Sequence, residues 1–217
     1  FNGFASAYKN ISDATVYASA SRRKDDGFAS NTNLDWYNFF ANAAYHSELG
    51  VVSAMAGHNS KEYGARNFYT YKFPEQYEKT QTTFAALKFM SSGEVPITGL
   101  AYWRRNRDRF QLFRNDTKKN TNYHQTDAFG ADLGAVIPSS VGTTSLGSGV
   151  RLEKIMSNVL GTPMSEPIAV PGEEAFYTKS DSRTVASLFA EHTFKVGDLT
   201  TTLGAMGLHN SVFGWKA

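Results

Sequence analysis

Apolar and polar residues alternate one by one along much of this chain. Ala14, Val16, Ala18 and Ala20 fall on one side of an extended segment, and Thr15, Tyr17, Ser19 and Ser21 on the other. The same period of two aligns Thr83, Ala85, Leu87 and Phe89, then Ala131, Leu133, Ala135 and Ile137, then Leu146, Ser148, Val150 and Leu152. Period-two patterning is the mark of a strand with unlike surroundings on its two faces. It predicts about ten strands, over residues 4–9, 14–22, 36–47, 51–58, 80–90, 95–107, 123–137, 143–155, 185–195 and 199–208.

The connections have a rhythm of their own. Short turns centre on Ile11, Leu49, Gly93, Ser140 and Gly197, and long polar loops centre on Ala29, Phe68, Asn115 and Ala169. Short and long alternate throughout, the habit of an up-and-down antiparallel barrel with tight turns at one rim and long loops at the other. A Greek-key sandwich has no reason to alternate in this way. The last long loop, running to about Arg183, holds three of the six prolines. The fold class expected is all-β: an antiparallel up-and-down transmembrane β-barrel segment of about ten strands.

Composition sharpens this picture. Of 217 residues, 19% are charged and 14% aromatic, against about 25% charged in an ordinary soluble domain. The longest unbroken apolar runs, Phe84 to Leu87 and Leu100 to Trp103, fall far short of the roughly 18 residues of a membrane-spanning helix. A barrel strand needs no such run, because only alternate residues touch lipid. A net charge of +2 argues against a nucleic-acid partner. No cysteine is present, so disulfides and thiol chemistry are excluded. The chain opens at Phe1 with no Met and no leader-like segment, so a signal peptide has been removed or the start lies further upstream.

Several stretches go beyond pattern. They are Tyr63-Gly64-Ala65-Arg66-Asn67-Phe68-Tyr69-Thr70, Lys72-Phe73-Pro74-Glu75-Gln76-Tyr77-Glu78, Tyr102-Trp103-Arg104-Arg105 with Asp108 to Arg114 close behind, Asn122 to Asp127, and Ser157-Asn158-Val159-Leu160-Gly161. In their order and spacing they resemble the barrel of TonB-dependent outer-membrane receptors of the Bacteroidetes type, especially the cobalamin-receptor-like ones. The resemblance implies a barrel of about 22 strands with a plugged lumen, in the bacterial outer membrane. It also implies energy-coupled uptake of a scarce nutrient such as cobalamin, a siderophore or haem, with no chemistry done on it. Residues 1–217 would then be an early-to-middle slice of that barrel, with the plug, the Ton box that engages the TonB complex, and the remaining strands outside it. The implied partners are TonB, a small-molecule ligand and outer-membrane lipid, with room for a surface lipoprotein.

The candidate ligand contacts are Tyr69, Tyr71, Tyr77, Trp103, Arg105 and Arg107. The aromatics Phe68, Tyr69, Tyr71, Phe73 and Tyr77 crowd one loop, where they could stack on a flat ligand or form an interfacial girdle. Arg104, Arg105, Arg107, Arg109 and Arg114 form the densest charge feature. They could line a vestibule for an anionic ligand, or be a solvated strand extension facing lipopolysaccharide head groups. Asp25, Asp26, Asn31, Asn33 and Asp35 crowd the first long loop. Their oxygens could hold Ca²⁺, as in some cobalamin receptors, or serve ordinary turn formation. No other cofactor is expected. The five histidines are scattered without zinc-site spacing, and no nucleophile elbow, dinucleotide fingerprint or P-loop occurs. Two competing readings remain: a self-contained small outer-membrane barrel, adhesin or enzyme, for which His124, Asp127, Asp108 and Asp116 would supply the rim, and a soluble β-sandwich used for binding.

Overall fold

The computed structural model describes residues 1–116 and 119–216. The chain forms β1 (Asn2–Ile11), β2 (Ala14–Asp25), β3 (Leu34–Ser47), β4 (Gly50–Gly64), β5 (Tyr77–Ser91), β6 (Ile97–Gln111), β7 (Thr121–Ser139), β8 (Gly142–Ser157), β9 (Thr162–Ala169), β10 (Phe176–Val196), β11 (Leu199–Asn210) and β12 (Gly214–Lys216). All belong to one antiparallel sheet in which neighbours in sequence are neighbours in space, except that β8 pairs β10 and β9 joins β10 on its other side. β1 and β12 do not pair with each other, so the sheet is open among the described residues. Among the described residues no helix is long and apolar enough to cross a membrane.

The turns follow the expected rhythm. Two residues join β1 to β2, β3 to β4, β7 to β8 and β10 to β11. In the last of these Gly197 sits at φ 62°, a left-handed conformation that costs glycine nothing. Twelve strands appear where ten were expected. β9 falls within the longest expected loop and carries Pro163 and Pro167, but a strand that pairs on one side only can carry proline, whose missing N–H is not needed there. β12, only three residues long, was also unforeseen. Several strands run further than expected, β4 to Gly64 and β10 back to Phe176. Pairing continues past the point where the alternation turns polar. Of the expected loop 108–122, residues 108–111 extend β6, and 117 and 118 lie outside the described residues.

Register assigns the two faces. Paired residues share a face, so Val16, Ala43, Ala54, Leu87, Ala101, Ala131, Val150 and Ala186 make one rung across eight strands. The rung beside it reads Ala18, Ala41, Ala56, Ala85, Trp103, Phe129 and Leu152. Along β7 this apolar band runs from Phe129 to Ile137. The opposite face reads Ser21, Asn38, Asn59, Thr82, Asn106, Thr126, Ile155 and Asp181 along a single rung. Among the described residues nothing covers the apolar band: Leu133 is 59% exposed, Leu188 60% and Leu203 64%. A soluble sandwich would bury these side chains between two sheets. The buried apolar cluster lies instead at the long-loop end, where Tyr123, Val170 and Tyr177 pack with Met156 and Ala175.

Candidate functional site

Strand parity separates the six residues singled out in the sequence. Tyr77, Trp103, Arg105 and Arg107 stand on the face that carries the apolar band, in the rungs where it gives way to polar residues. Tyr69 packs on the opposite face, edge-on to Phe110 at 5.2 Å between ring centroids, and donates its hydroxyl to Glu78. Tyr71 lies in the β4–β5 loop, 87% exposed. No single cleft gathers all six.

Three of the four, Trp103, Arg105 and Arg107, share one polar network on the banded face, and Tyr77 belongs to a second. Asp127, only 7% exposed, accepts from Trp103 Nε1 at 3.1 Å, from Arg105 Nε at 2.7 Å and Nη2 at 3.2 Å, and from Gln125 at 2.9 Å. Arg107 donates to Gln125 at 2.9 Å. Further from the band, Glu62 takes Lys79 at 2.6 Å and the Tyr77 hydroxyl at 2.8 Å. Burial works to raise the Glu62 carboxyl, but the hydrogen bonds from Lys79 and Tyr77 outweigh it, and the group settles below its usual range. Burial, helped by the bond to Glu62, pushes the Tyr77 phenol up to about 12. Arg114 lies 4.5 Å over the Tyr77 ring and binds Asn31 and Asn33, tying the first long loop to the third. Arg109 meets Glu173 at 2.6 Å, which holds the β9–β10 tip against β6.

Two carboxylates of the first long loop, Asp25 and Asp35, are engaged locally. Asp35 pairs with Arg22 at 2.9 Å, and Asp25 accepts from the Gly27 amide at 2.9 Å and faces Arg23. Asp25 and Asp35 fall on opposite faces of paired strands. Among the described residues no group of three His, Cys, Asp or Glu is placed to hold a metal ion.

The polar face gathers residues that spacing alone did not associate. At the loop end Asp108 pairs in register with His124, whose Nδ1 lies 2.8 Å from Ser157 Oγ, and Glu78 accepts from Tyr63 and Tyr69. These groups lie well beyond the apolar band. Burial raises the Glu78 and Asp108 carboxyls above their usual values, and Asp108 adds to the push on Glu78. Burial also lowers the His124 imidazole. The rim needed for the enzyme reading divides, because Asp127 faces the other way and is fully engaged by its donors.

The sign of the Glu78 effect is fixed. A carboxyl whose folded pKa is raised adds stability below its unfolded pKa, 4.5, and loses that contribution as pH climbs through the folded value. Glu78→Gln is therefore expected to flatten the decline of stability above pH 4.5, seen as a smaller fall in urea midpoint than the parent shows over the same range. An unchanged pH profile would refute the linkage.

Nearer the band, the polar face carries three arginines about one carboxylate. Arg151 Nε meets Glu153 Oε1 at 3.0 Å, and Arg183 binds the other oxygen. Arg104 stands in the same rung as Glu153 and Arg183, two strands from Glu153. It lines a cleft of about 320 Å³ with Phe84, Tyr102, Ala128 and Arg151. Counting parity outward from the two-residue β7–β8 turn would have placed Ala128 and Glu153 side by side. The arginine run is one feature in the sequence, although Arg104 stands on the polar face and Arg105, Arg107 and Arg109 on the banded one.

Solved structures share this architecture. The chain matches the FrpB iron transporter from Neisseria meningitidis with a TM-score of 0.72 at 12% identity, over 96% of this chain and 39% of that one. It matches the siderophore receptor PirA from Pseudomonas aeruginosa at 0.69 and 13% identity, over 99% and 34%. A mutant of the ferric enterobactin receptor PfeA from the same organism matches at 0.67 and 12%, over 99% and 38%. At such identities the likeness is one of fold, and the chain spans less than two-fifths of the length of each. No family model and no curated protein matches the sequence.

Proposed function

We propose that the chain is part of the wall of an outer-membrane TonB-dependent receptor that takes up a scarce metal chelate. The observation that carries this reading is the uncovered apolar band backed by a polar face, in a sheet whose tight turns and long loops alternate. An exposed band of this breadth is costly in water and favourable against hydrocarbon. The polar face then lines the lumen, and further strands of the receptor would satisfy the free edges of β1 and β12, since an open edge is not tolerated in lipid. The Asp127 network marks the level at which the wall leaves the bilayer on its long-loop side.

The fold neighbours are an iron transporter and siderophore receptors, so a ferric siderophore is favoured as the cargo. Cobalamin rests on the sequence resemblance alone. In this reading Tyr69, with the Glu78–Asp108–His124 group, borders the lumen mouth, whereas Tyr77, Trp103, Arg105 and Arg107 brace the outer rim.

Fractionation and uptake test this together. The intact protein is expected in the outer-membrane fraction, and its loss is expected to abolish accumulation of radiolabelled iron presented as a siderophore complex, in a manner that also requires TonB. Recovery of the protein from the soluble fraction, or uptake indifferent to TonB, would reject the proposal.

A further inference from the structure

We infer that the outward wall carries a docking site for a phosphorylated lipid of the outer leaflet, placed on β6, β7 and β8 where the apolar band ends. The inference rests on the proposed reading that the banded face meets the membrane and the long loops lie on its outer side.

Charge on this stretch of wall does not balance. On the banded face β6, β7 and β8 present Arg105, Arg107, Arg109 and Lys154, and among the described residues their only carboxylate there is Asp127. Arg105 holds both Asp127 oxygens, and Arg109 is taken by Glu173 of the β9–β10 tip. Two cations are left over. Lys154 is exposed and stands beside Asp127 in register, yet it has no hydrogen bond or ion pair among the described residues. Arg107 donates through Nε to the neutral Gln125, and its Nη groups have no partner among the described residues. The two cations flank β7 diagonally, one rung apart. Ordinary strand spacing puts their Cα atoms about 12 Å apart, so both long side chains can close on one group held over Gln125. The fork of Arg107 Nη groups matches two oxygens of a phosphate, and Lys154 adds a point charge.

What lies below these cations identifies the rest of the ligand. In the next rung towards the band the Trp103 and Phe129 rings stand side by side, with centroids 6.5 Å apart, and Leu152 follows on β8. Beneath that aromatic shelf two adjoining apolar hollows run down the band. One, of about 720 Å³, is floored by Ala85 and Ala101 under Trp103. The other, of about 680 Å³, is floored by Gly99, Ala101 and Ala131 between Leu87 and Leu188. Cations, then an amphipathic aromatic shelf, then apolar hollows is the order in which a lipid presents its phosphate, its interface and its chains. A free phosphate would engage the cations alone. The occupant is therefore an acylated phosphate, and in the outer leaflet that is the lipid portion of lipopolysaccharide.

The test uses the full-length receptor purified from outer membranes and stripped of lipid in detergent, with bound lipid counted by native mass spectrometry. The probe is diphosphoryl lipid A. Its dephosphorylated form supplies the chains without the charge, and inorganic phosphate the charge without the chains. The parent is expected to retain diphosphoryl lipid A against competing phosphatidylcholine, and to retain the dephosphorylated form much more weakly. Arg107→Gln is expected to weaken retention about tenfold, the effect of losing one charged hydrogen-bonding partner. Lys154→Gln is expected to weaken it about fivefold, the effect of one point charge at an anionic lipid. Lys88→Gln, on the polar face, is expected to change nothing. Equal retention of the dephosphorylated lipid, displacement by inorganic phosphate, or retention indifferent to both Arg107→Gln and Lys154→Gln overturns the site, as does an equal loss with Lys88→Gln. The same preparations are scored for outer-membrane location and TonB-dependent iron uptake. A receptor that passes those tests without preferring the phosphorylated lipid refutes the site and leaves the transport reading intact. A protein that fails them refutes the transport reading itself.

Discussion

Replacing Asp127 with alanine is expected to cost about 2–3 kcal/mol of unfolding free energy, since four donor contacts converge on one nearly buried carboxylate. The loss is more than that of a surface ion pair. Trp103 Nε1 and the Gln125 amide would be left without their acceptor, and Arg105 would keep its charge without a counter-ion. Arg105 retains about a third of its side-chain exposure, so water would recover part of the deficit, and the figure sits below the range for a fully interior pair. Asp127→Asn keeps an acceptor oxygen and should fall between the two. Urea unfolding of the intact protein in detergent reads both, and a shift for the alanine variant below about 0.5 kcal/mol would mean that the network is ornamental.

Adjacent residues near the middle of β7 provide the second large effect. Leu133 lies on the apolar band and Asp132 on the polar face. Lysine at Leu133 is expected to cost about 2–4 kcal/mol in lipid, the depth-dependent toll of a cation near the bilayer midplane. Lysine at Asp132 should cost below about 1 kcal/mol, because that position meets water. Both variants keep the same backbone and carry the same new side chain, so the contrast reports facing alone. Equal costs, or the reverse order, would show that the band does not meet hydrocarbon.

How much of this was legible beforehand follows from what period two can carry. Within the band the parity of β2, β5, β7 and β8 could be read from the sequence, because alanine, leucine and valine on one side and serine, threonine and other small or polar residues on the other make the faces chemically distinct. Above the band both faces become polar, and the signal disappears although pairing continues. That is why Tyr69 and Tyr77 read as members of one aromatic loop, while in the structure Tyr77 opens β5 and its parity places it on the opposite face from Tyr69. It is also why Arg104 and Arg105 read as a single basic cluster. β9 was hidden for another reason: its two prolines carry a strong local signal for a break, and only its place at a sheet edge makes them harmless. The meeting of Glu78, Asp108 and His124 depends on register across three strands, which no local window contains.

The near-sequential strand order has a kinetic consequence. Apart from the step from β8 to β10, each strand on the main path finds its partner in the next segment of chain. The chain can therefore zip up one hairpin at a time, with no strand waiting for a distant mate, and long loops slow each closure only logarithmically. A slip of a single residue in any hairpin would exchange residues such as Leu133 and Asp132 between faces. Each newly added hairpin is thus checked against its surroundings as it is laid down, and an assembly halted at any of the tight turns would already present the correct side to its solvent.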